Sequence, residues 1–198
     1  MRRSFPTLTV SLISICFVTS LMSNFGSLTE VLQPLFISSS PQLGFQEIMS
    51  GQVWRLITPI FIHFNLLHIV FNMLWLWDLG KLLESTRGTW YFGFFILVTG
   101  VLSNIAQYVL EGLPYFGGMS GVVYGLLGYL WMQGKFNPRF GYVLHQPIVY
   151  MMLVWFALCW TGLFGPIANW AHTAGLIIGV IWGYLERGGI KRQPLTEI

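Results

Sequence analysis

The chain has 198 residues and a formal net charge of +3, with 55% hydrophobic but only 9% charged residues. Globular domains carry about 25% charged residues, so the composition excludes an ordinary soluble domain and a disordered chain. Aromatic residues reach 17%, with nine Trp, as suits a membrane protein with aromatic residues at its interfaces. In a membrane protein a charge of +3 bears on topology rather than on nucleic acid, which is not an expected partner. A disulfide framework is not expected either, because the two cysteines, Cys16 and Cys159, both lie in apolar stretches.

Stretches without Asp, Glu, Lys or Arg predict where the chain crosses the membrane. A span needs about 20 apolar residues, and the last of five such stretches is long enough for two helices separated by Gly162–Pro166. We therefore expect an all-α membrane protein, a bundle of six transmembrane helices that forms a single membrane domain over residues 1–198. The predicted helices comprise residues 6–25, 60–79, 89–110, 119–134, 146–163 and 168–185.

The first predicted helix follows Arg2 and Arg3, as the apolar part of a signal peptide would. The first alanine of the chain is Ala106, so an Ala-x-Ala cleavage site is absent and we expect this helix to be retained. No soluble N-terminal domain is expected before it. The stretch 27–58 contains prolines and three consecutive serines and is predicted to be a long interfacial loop between the first and second helices.

The distribution of Lys and Arg predicts the orientation of the six helices. Nine basic residues fall on one side of the membrane, and Arg55 alone falls on the other. Because basic residues are enriched on the cytoplasmic side, both termini are expected in the cytoplasm. The loops at 27–58, 111–117 and 164–167 are then expected to face outward.

Polar side chains at membrane depth are candidates for functional groups. His63, His68 and Asn72 fall in the predicted second helix, and the last two lie on one helix face because they are four residues apart. Hydrogen bonding between helices explains Asn72 equally well. For His63, a simple position at the membrane interface is the better explanation.

Ser120 opens the predicted fourth helix, within the segment Gly117–Gly121. Lys135 follows 15 positions later, a helical length of about 22 Å at 1.5 Å per residue, which is shorter than the ~30 Å hydrocarbon layer. Ser120 is therefore expected below the outer surface, at a helix N-terminus whose N–H groups can stabilise an anion. A role as a plain helix cap is an equally good explanation.

His172 follows the outer loop 164–167 closely and is expected at a similar depth. Small-residue stripes that allow close helix contact mark the fourth and sixth helices, at Gly121, Gly125, Gly175, Gly179 and Gly183. Such contact would bring Ser120 and His172 within hydrogen-bond reach, an arrangement typical of nucleophilic catalysis. Because the predicted spans hold no Asp or Glu at that depth, we expect a Ser–His dyad, with Tyr124 packing on the imidazole one turn after Ser120.

Taken together, these residues resemble the rhomboid intramembrane serine proteases, most closely the bacterial members, over residues 51–186. The matching residues are Trp54, Arg55, Thr58, His63, His68, Asn72, Gly118, Met119, Ser120, Gly121, Tyr124, Ala171, His172, Gly175 and Gly179. The resemblance implies that Ser120 is the nucleophile and His172 the general base. It also implies an oxyanion hole formed by His68, Asn72 and the Ser120 N–H. Tyr124 and Gly118 are implied as supporting residues of the site.

The resemblance also implies where the protein is located and with which partners it works. It implies a serine endopeptidase of the bacterial inner membrane, without metal or cofactor, that cuts transmembrane protein substrates and works among membrane lipids. The site would open to the outer, periplasmic side, with the 27–58 loop in the outer leaflet and the fifth helix and the 164–167 loop as gate and cap. Many bacterial members carry a cytosolic domain before the first helix. Only about five residues precede the predicted first helix here, so no such domain is expected.

Two other functions stay open at this point. A transporter or channel would also need polar groups in an outer cavity, but the sequence has neither internal repeats nor a buried charge. A non-proteolytic membrane-client binder is the third possibility, although such relatives typically lack the Ser or the His. A zinc protease is disfavoured because His-Glu-x-x-His is absent, and Ser120 lacks the Gly-x-Ser-x-Gly setting of the soluble hydrolases.

Overall fold

The computed structural model describes residues 5–188, which form helices and loops and no β-strand. The main helices are α1 (Thr7–Met22), α2 (Leu66–Arg87), α3 (Thr89–Glu111), α4 (Ser120–Phe136), α5 (Gln146–Cys159) and α6 (Asn169–Leu185). Shorter helical turns cover Thr29–Leu32, Pro41–Leu43, Gln46–Met49, Val53–Leu56, Thr58–Phe61 and Glu186–Gly188. Each of the six predicted segments therefore overlaps one main helix. The predicted end of the second helix at residue 79 is wrong, because α2 continues through charged residues to Arg87.

Two of these helices, α2 with 22 residues and α3 with 23, are both long enough and apolar enough to cross a membrane. The shorter helices α1 and α5 are apolar as well. The predicted orientation depends on nine basic residues on one side of the membrane. Four of these lie outside the described residues, namely Arg2, Arg3, Lys191 and Arg192. The orientation and the number of crossings stay predictions.

The start of the second helix differs from the predicted residue 60. Pro59 lies in a separate 3-10 turn, Thr58–Phe61, and α2 begins only at Leu66. Asn65 fixes this start, since its backbone is extended (φ −164°, ψ 168°) and its side-chain oxygen accepts the His68 N–H at 2.8 Å, a strong N-cap arrangement. His63 therefore precedes the helix, and its predicted place within the second helix is wrong.

The loop 27–58 folds around the buried guanidinium of Arg55. One nitrogen, Nη1, donates to the carbonyl oxygens of Gln33 and Phe36, both at 2.9 Å. The other, Nη2, pairs with Glu47 at 3.0 Å. Trp54 adds a hydrogen bond from Nε1 to a further carbonyl of the same loop at 3.2 Å. The loop thus has an internal polar core that satisfies its backbone.

Glu47 accepts hydrogen bonds inside this polar core. The Ser39 N–H donates at 2.7 Å and the Ser38 hydroxyl at 3.2 Å. Burial by itself raises the pKa of Glu47, but the hydrogen bonds from both serines and the charge of Arg55 outweigh it, so this pKa lies below its ordinary value. The carboxylate is therefore held in its charged form.

Glu84, near the end of α2, holds the start of α1. Its carboxylate accepts the N–H groups of Leu8 and Thr9, both at 2.9 Å, and the Thr9 hydroxyl at 2.7 Å. A further hydroxyl, from Thr89 at the start of α3, donates at 2.9 Å. A carboxylate suits a helix N-terminus, where N–H groups lack partners within the helix.

Helix α4 is the centre of the bundle, with 12 of its 17 residues buried. It packs backbone to backbone against α6 through the predicted glycine stripes. A Cβ added at Gly175 would lie 1.9 Å from the Gly121 oxygen, and one added at Gly179 would lie 2.0 Å from the Gly125 oxygen. Only glycine permits this approach, so the stripes set the distance between the helices that carry Ser120 and His172.

Away from Ser120, the carboxylate of Glu186 links four helices of the bundle. Its Oε2 pairs with Arg87 and accepts the hydroxyl groups of Tyr91 at 2.8 Å and Tyr129 at 2.9 Å. Its Oε1 accepts the Trp182 indole N–H at 2.8 Å. These contacts join α2, α3, α4 and α6, which fixes the four helices relative to one another at a distance from Ser120.

Candidate active site

Ser120 is the first residue of α4, and its position depends on the glycine two residues before it. Gly118 has a φ of +124°, a region that favours glycine. A Cβ at Gly118 would also lie 2.6 Å from the His68 Nε2 and 3.6 Å from the Ser120 Oγ. The absent side chain therefore leaves space between His68 and the serine hydroxyl.

The Ser120 hydroxyl bonds to His172 rather than capping its own helix. The residue before α4 is Met119, and no side-chain hydrogen bond caps that helix start. Instead, the Ser120 Oγ lies 2.7 Å from the His172 Nε2. The capping explanation that the sequence left open is therefore wrong.

His172 is buried, with 5% of its surface exposed. Its second ring nitrogen, Nδ1, has no hydrogen-bond partner, so within residues 5–188 no carboxylate completes a triad. With Nδ1 protonated, Nε2 is free to accept the Ser120 proton. This is the geometry of a serine next to a base.

Tyr124 packs on the imidazole, as its four-residue spacing from Ser120 predicts. The centres of the Tyr124 and His172 rings are 4.8 Å apart. The Tyr124 hydroxyl donates to the Met152 carbonyl of α5 at 3.2 Å, and its ring meets Phe156 at 5.4 Å. Tyr124 therefore connects the site to α5 as well as to α6.

His68 faces the Ser120 hydroxyl across the space at Gly118. Its Nδ1 accepts a long hydrogen bond of 3.5 Å from the Phe64 N–H, which favours a proton on Nε2, the nitrogen nearest Gly118. His63 lies behind it, fully buried, with ring centres 4.9 Å apart. The imidazole of His68 is thus held with an N–H available at the site.

Asn72 lies one helical turn beyond His68 and is buried, with 6% of its surface exposed. Its Nδ2 donates to the His68 carbonyl at 2.9 Å, while its Oδ1 has no partner. Within the described residues, no hydrogen bond links Asn72 to Ser120. The Asn72 amide therefore lies one turn from His68, with a second N–H on Nδ2 for which the described residues record no acceptor.

Gln107 of α3 holds the start of the helix that carries His172, and the sequence analysis did not single it out. Its side-chain oxygen accepts the N–H groups of Trp170 at 3.0 Å and Ala171 at 3.1 Å. Gln107 is buried, with 3% of its surface exposed. The rule that flagged Asn72, a polar residue at membrane depth, applies equally to Gln107 and would have identified it.

Taken together, the site offers a hydroxyl hydrogen-bonded to an imidazole, with N–H donors across a small gap. Such a site can transfer an acyl group through a serine nucleophile. Within residues 5–188, no group of three or more His, Cys, Asp or Glu side chains is placed to hold a metal ion.

The sequence of the chain is similar to those of known proteins. Residues 50–188 match the family model described as Rhomboid domain. The chain is 39% identical over 150 residues to a protein named Rhomboid protease GlpG from Salmonella paratyphi A (strain ATCC 9150 / SARB42), covering 75% of this chain and 54% of the relative. The protein of that name from Salmonella choleraesuis (strain SC-B67) is 38% identical with the same coverage. The chain spans about half the length of these curated relatives.

Proposed function

Since this chain belongs to the rhomboid family, we propose that it is a serine endopeptidase that hydrolyses peptide bonds in or near transmembrane segments of membrane proteins. The observation that carries the proposal is the 2.7 Å hydrogen bond between the Ser120 Oγ and the His172 Nε2. The curated relatives are named as proteases, and the reaction of such enzymes needs this serine–base pair.

The first half of the reaction uses both residues of the dyad. The Ser120 Oγ attacks the peptide carbonyl carbon while the His172 Nε2 takes the hydroxyl proton. The tetrahedral intermediate then collapses, the C–N bond breaks, and the imidazolium gives its proton to the leaving amine. The product is an acyl-enzyme ester on Ser120.

The second half releases the acyl group with water. The neutral His172 removes a proton from the water as it attacks the ester carbonyl, and then returns that proton to the Ser120 oxygen. Because the Nδ1 of His172 has no partner, the packing of Tyr124 takes over the positioning that a carboxylate provides in a triad.

The negative charge that develops on the carbonyl oxygen needs donors aimed at it. In this proposal the donors are the His68 Nε2–H, the side-chain amide of Asn72 and the Ser120 N–H at the start of α4. Each such donor contributes about 2.7–4 kcal/mol in serine proteases. The space beside Gly118, which a Cβ would fill, is where the oxygen would lie.

The membrane setting belongs to the same proposal. All six main helices cross a bacterial inner membrane, both termini are cytoplasmic, and the site opens to the periplasmic side. The loop 27–58 lies in the outer leaflet among membrane lipids. A substrate helix approaches past α5, which buries only three of its 14 residues, and unwinds so that a peptide bond reaches Ser120.

The proposal is tested by cleavage of a transmembrane peptide in lipid vesicles that contain the purified protein. Ser120→Ala and His172→Ala are expected to abolish cleavage while the fold persists. Ser103→Ala is the matched control, because the Ser103 hydroxyl is buried near α4 but has no hydrogen-bond partner. Continued cleavage by Ser120→Ala, or equal loss in Ser103→Ala, would contradict the proposal.

A further inference from the structure

A cavity of about 230 Å³ separates the second half of α4 from the start of α5. This volume is below the ~300–1,000 Å³ of pockets that enclose a drug-sized molecule. The lining side chains are Trp131, Lys135, Val143, Leu144, Gln146 and Tyr150. The cavity thus combines apolar and aromatic walls with a single cation.

The cavity lies beside the first turn of α5, next to Val149, which is buried in the core. The described contacts of α5 with the site are in its later part, where the Met152 carbonyl accepts the Tyr124 hydroxyl and Trp155 stacks on Phe71. At the beginning of the helix, Gln146 and Tyr150 border the cavity instead. The chain itself leaves the space between the two helices unfilled there.

Lys135 is the charged residue among the side chains that line the cavity, and its charge is positive. Lys135 is exposed and, within the described residues, makes no ion pair; its nearest recorded partner is the ring of Phe136, 5.3 Å from the amino group. No Asp or Glu occurs from residue 112 to 185, so this stretch itself offers Lys135 no acidic partner. The amino group of Lys135 is therefore available to an anion at the cavity.

We propose that this cavity binds the phosphate headgroup of an anionic phospholipid, with Lys135 contacting the phosphate. Basic pockets between membrane helices on the cytoplasmic side are suited to anionic headgroups, and Lys135 lies on the side predicted to be cytoplasmic. The acyl chains remain in the bilayer, along the exposed face of α5. The bound lipid fills the gap at the start of α5 and so supports the helix past which the substrate approaches.

The inference rests on the proposed membrane orientation but not on proteolysis. It is tested with the purified full chain in detergent, titrated with phosphatidylglycerol or phosphatidylcholine of the same acyl chains and followed by native mass spectrometry. Phosphatidylglycerol is expected to bind more tightly. Lys135→Gln is expected to weaken phosphatidylglycerol binding about fivefold without affecting phosphatidylcholine.

Matched variants separate the cavity from general surface charge. Lys81→Gln removes a lysine of the same predicted side that contacts Trp77, away from the cavity, and is expected to bind like the wild type. Val143→Phe narrows the cavity without a charge change and is expected to weaken phosphatidylglycerol binding. Unchanged binding by either Lys135→Gln or Val143→Phe would overturn the proposal, as would equal binding of the two lipids.

Two further outcomes bear on the identity of the ligand and on the link to activity. Inorganic phosphate is expected not to displace the lipid, and displacement at equal concentration would overturn the choice of a lipid. Binding is measured without substrate. Selective lipid binding by a protein that does not cleave peptides would therefore contradict only the protease proposal, and cleavage without selective binding would contradict only the lipid proposal.

Discussion

Replacement of Gly175 by alanine should disrupt the Ser120–His172 pair through the packing of α4 on α6. The new Cβ would lie 1.9 Å from the Gly121 oxygen, whereas ordinary contacts begin at 3.4 Å, so the helices must separate locally by about 1.5 Å. Gly121 adjoins Ser120, and Gly175 follows His172 by about one turn. The 2.7 Å hydrogen bond of the pair would then stretch beyond hydrogen-bonding distance, about 3.2 Å.

The expected effect of Gly175→Ala on activity is large. A displacement of about 1 Å at a catalytic group can cost ~100-fold in rate, so kcat/KM for a transmembrane peptide in vesicles should fall at least about 100-fold. Overpacking of this kind also costs about 1–3 kcal/mol of stability. The unfolding midpoint in detergent measures that second effect separately.

Two other glycines provide controls for Gly175→Ala. Gly93 lies within α3, and an added Cβ would meet only the Leu8 side chain at 3.4 Å, so Gly93→Ala should keep both activity and stability. Gly183→Ala would clash with the Tyr129 oxygen at 2.5 Å, about three turns from His172, and should reduce stability more than activity. Near wild-type cleavage by Gly175→Ala would refute the reasoning, as would equal activity losses in all three variants.

Two more predictions concern polar groups outside the dyad. Gln107→Leu leaves the buried N–H groups of Trp170 and Ala171 without their acceptor, so the free energy of unfolding should fall by about 1–3 kcal/mol; an unchanged unfolding midpoint would contradict this. Because the folded-state pKa of Glu47 is lowered, its stabilisation of the 27–58 loop should be complete above the ordinary pKa and lost as the pH falls through the folded value. Protease sensitivity of the loop should rise there, and Glu47→Gln should remove this dependence.

The positions of the main helices could be predicted because charge-free stretches report them directly. Helix α3, predicted at 89–110, ends at Glu111, and α6, predicted at 168–185, begins at Asn169. The start of α2 could not be predicted in the same way, because the segment before it is equally apolar. There the local hydrogen bond from the His68 N–H to Asn65 and the turn at Pro59 decide the boundary.

Part of the candidate site could be predicted, because Ser120 and His172 lie at a similar depth on two helices that are in close contact. Gly121 and Gly175 indicate that contact in sequence, and the pairing of Ser120 with His172 follows from it. Its depth in the membrane could have marked Gln107 as a candidate, but its partners could not be predicted, since Trp170 and Ala171 lie 63 and 64 positions further along the chain. Pairings of that kind depend on how α3 is rotated about its axis, which the apolar pattern of a membrane helix specifies poorly.

An activated serine at residue 120 is the central claim, and fluorophosphonate labelling of the purified protein tests it most directly. The modified residue is located by mass spectrometry, with His172→Ala and the exposed-histidine control His145→Ala treated in parallel. We expect labelling at Ser120 in the wild type and in His145→Ala, and none in His172→Ala. Labelling at another serine, or labelling of Ser120 that persists without His172, would contradict the Ser–His mechanism.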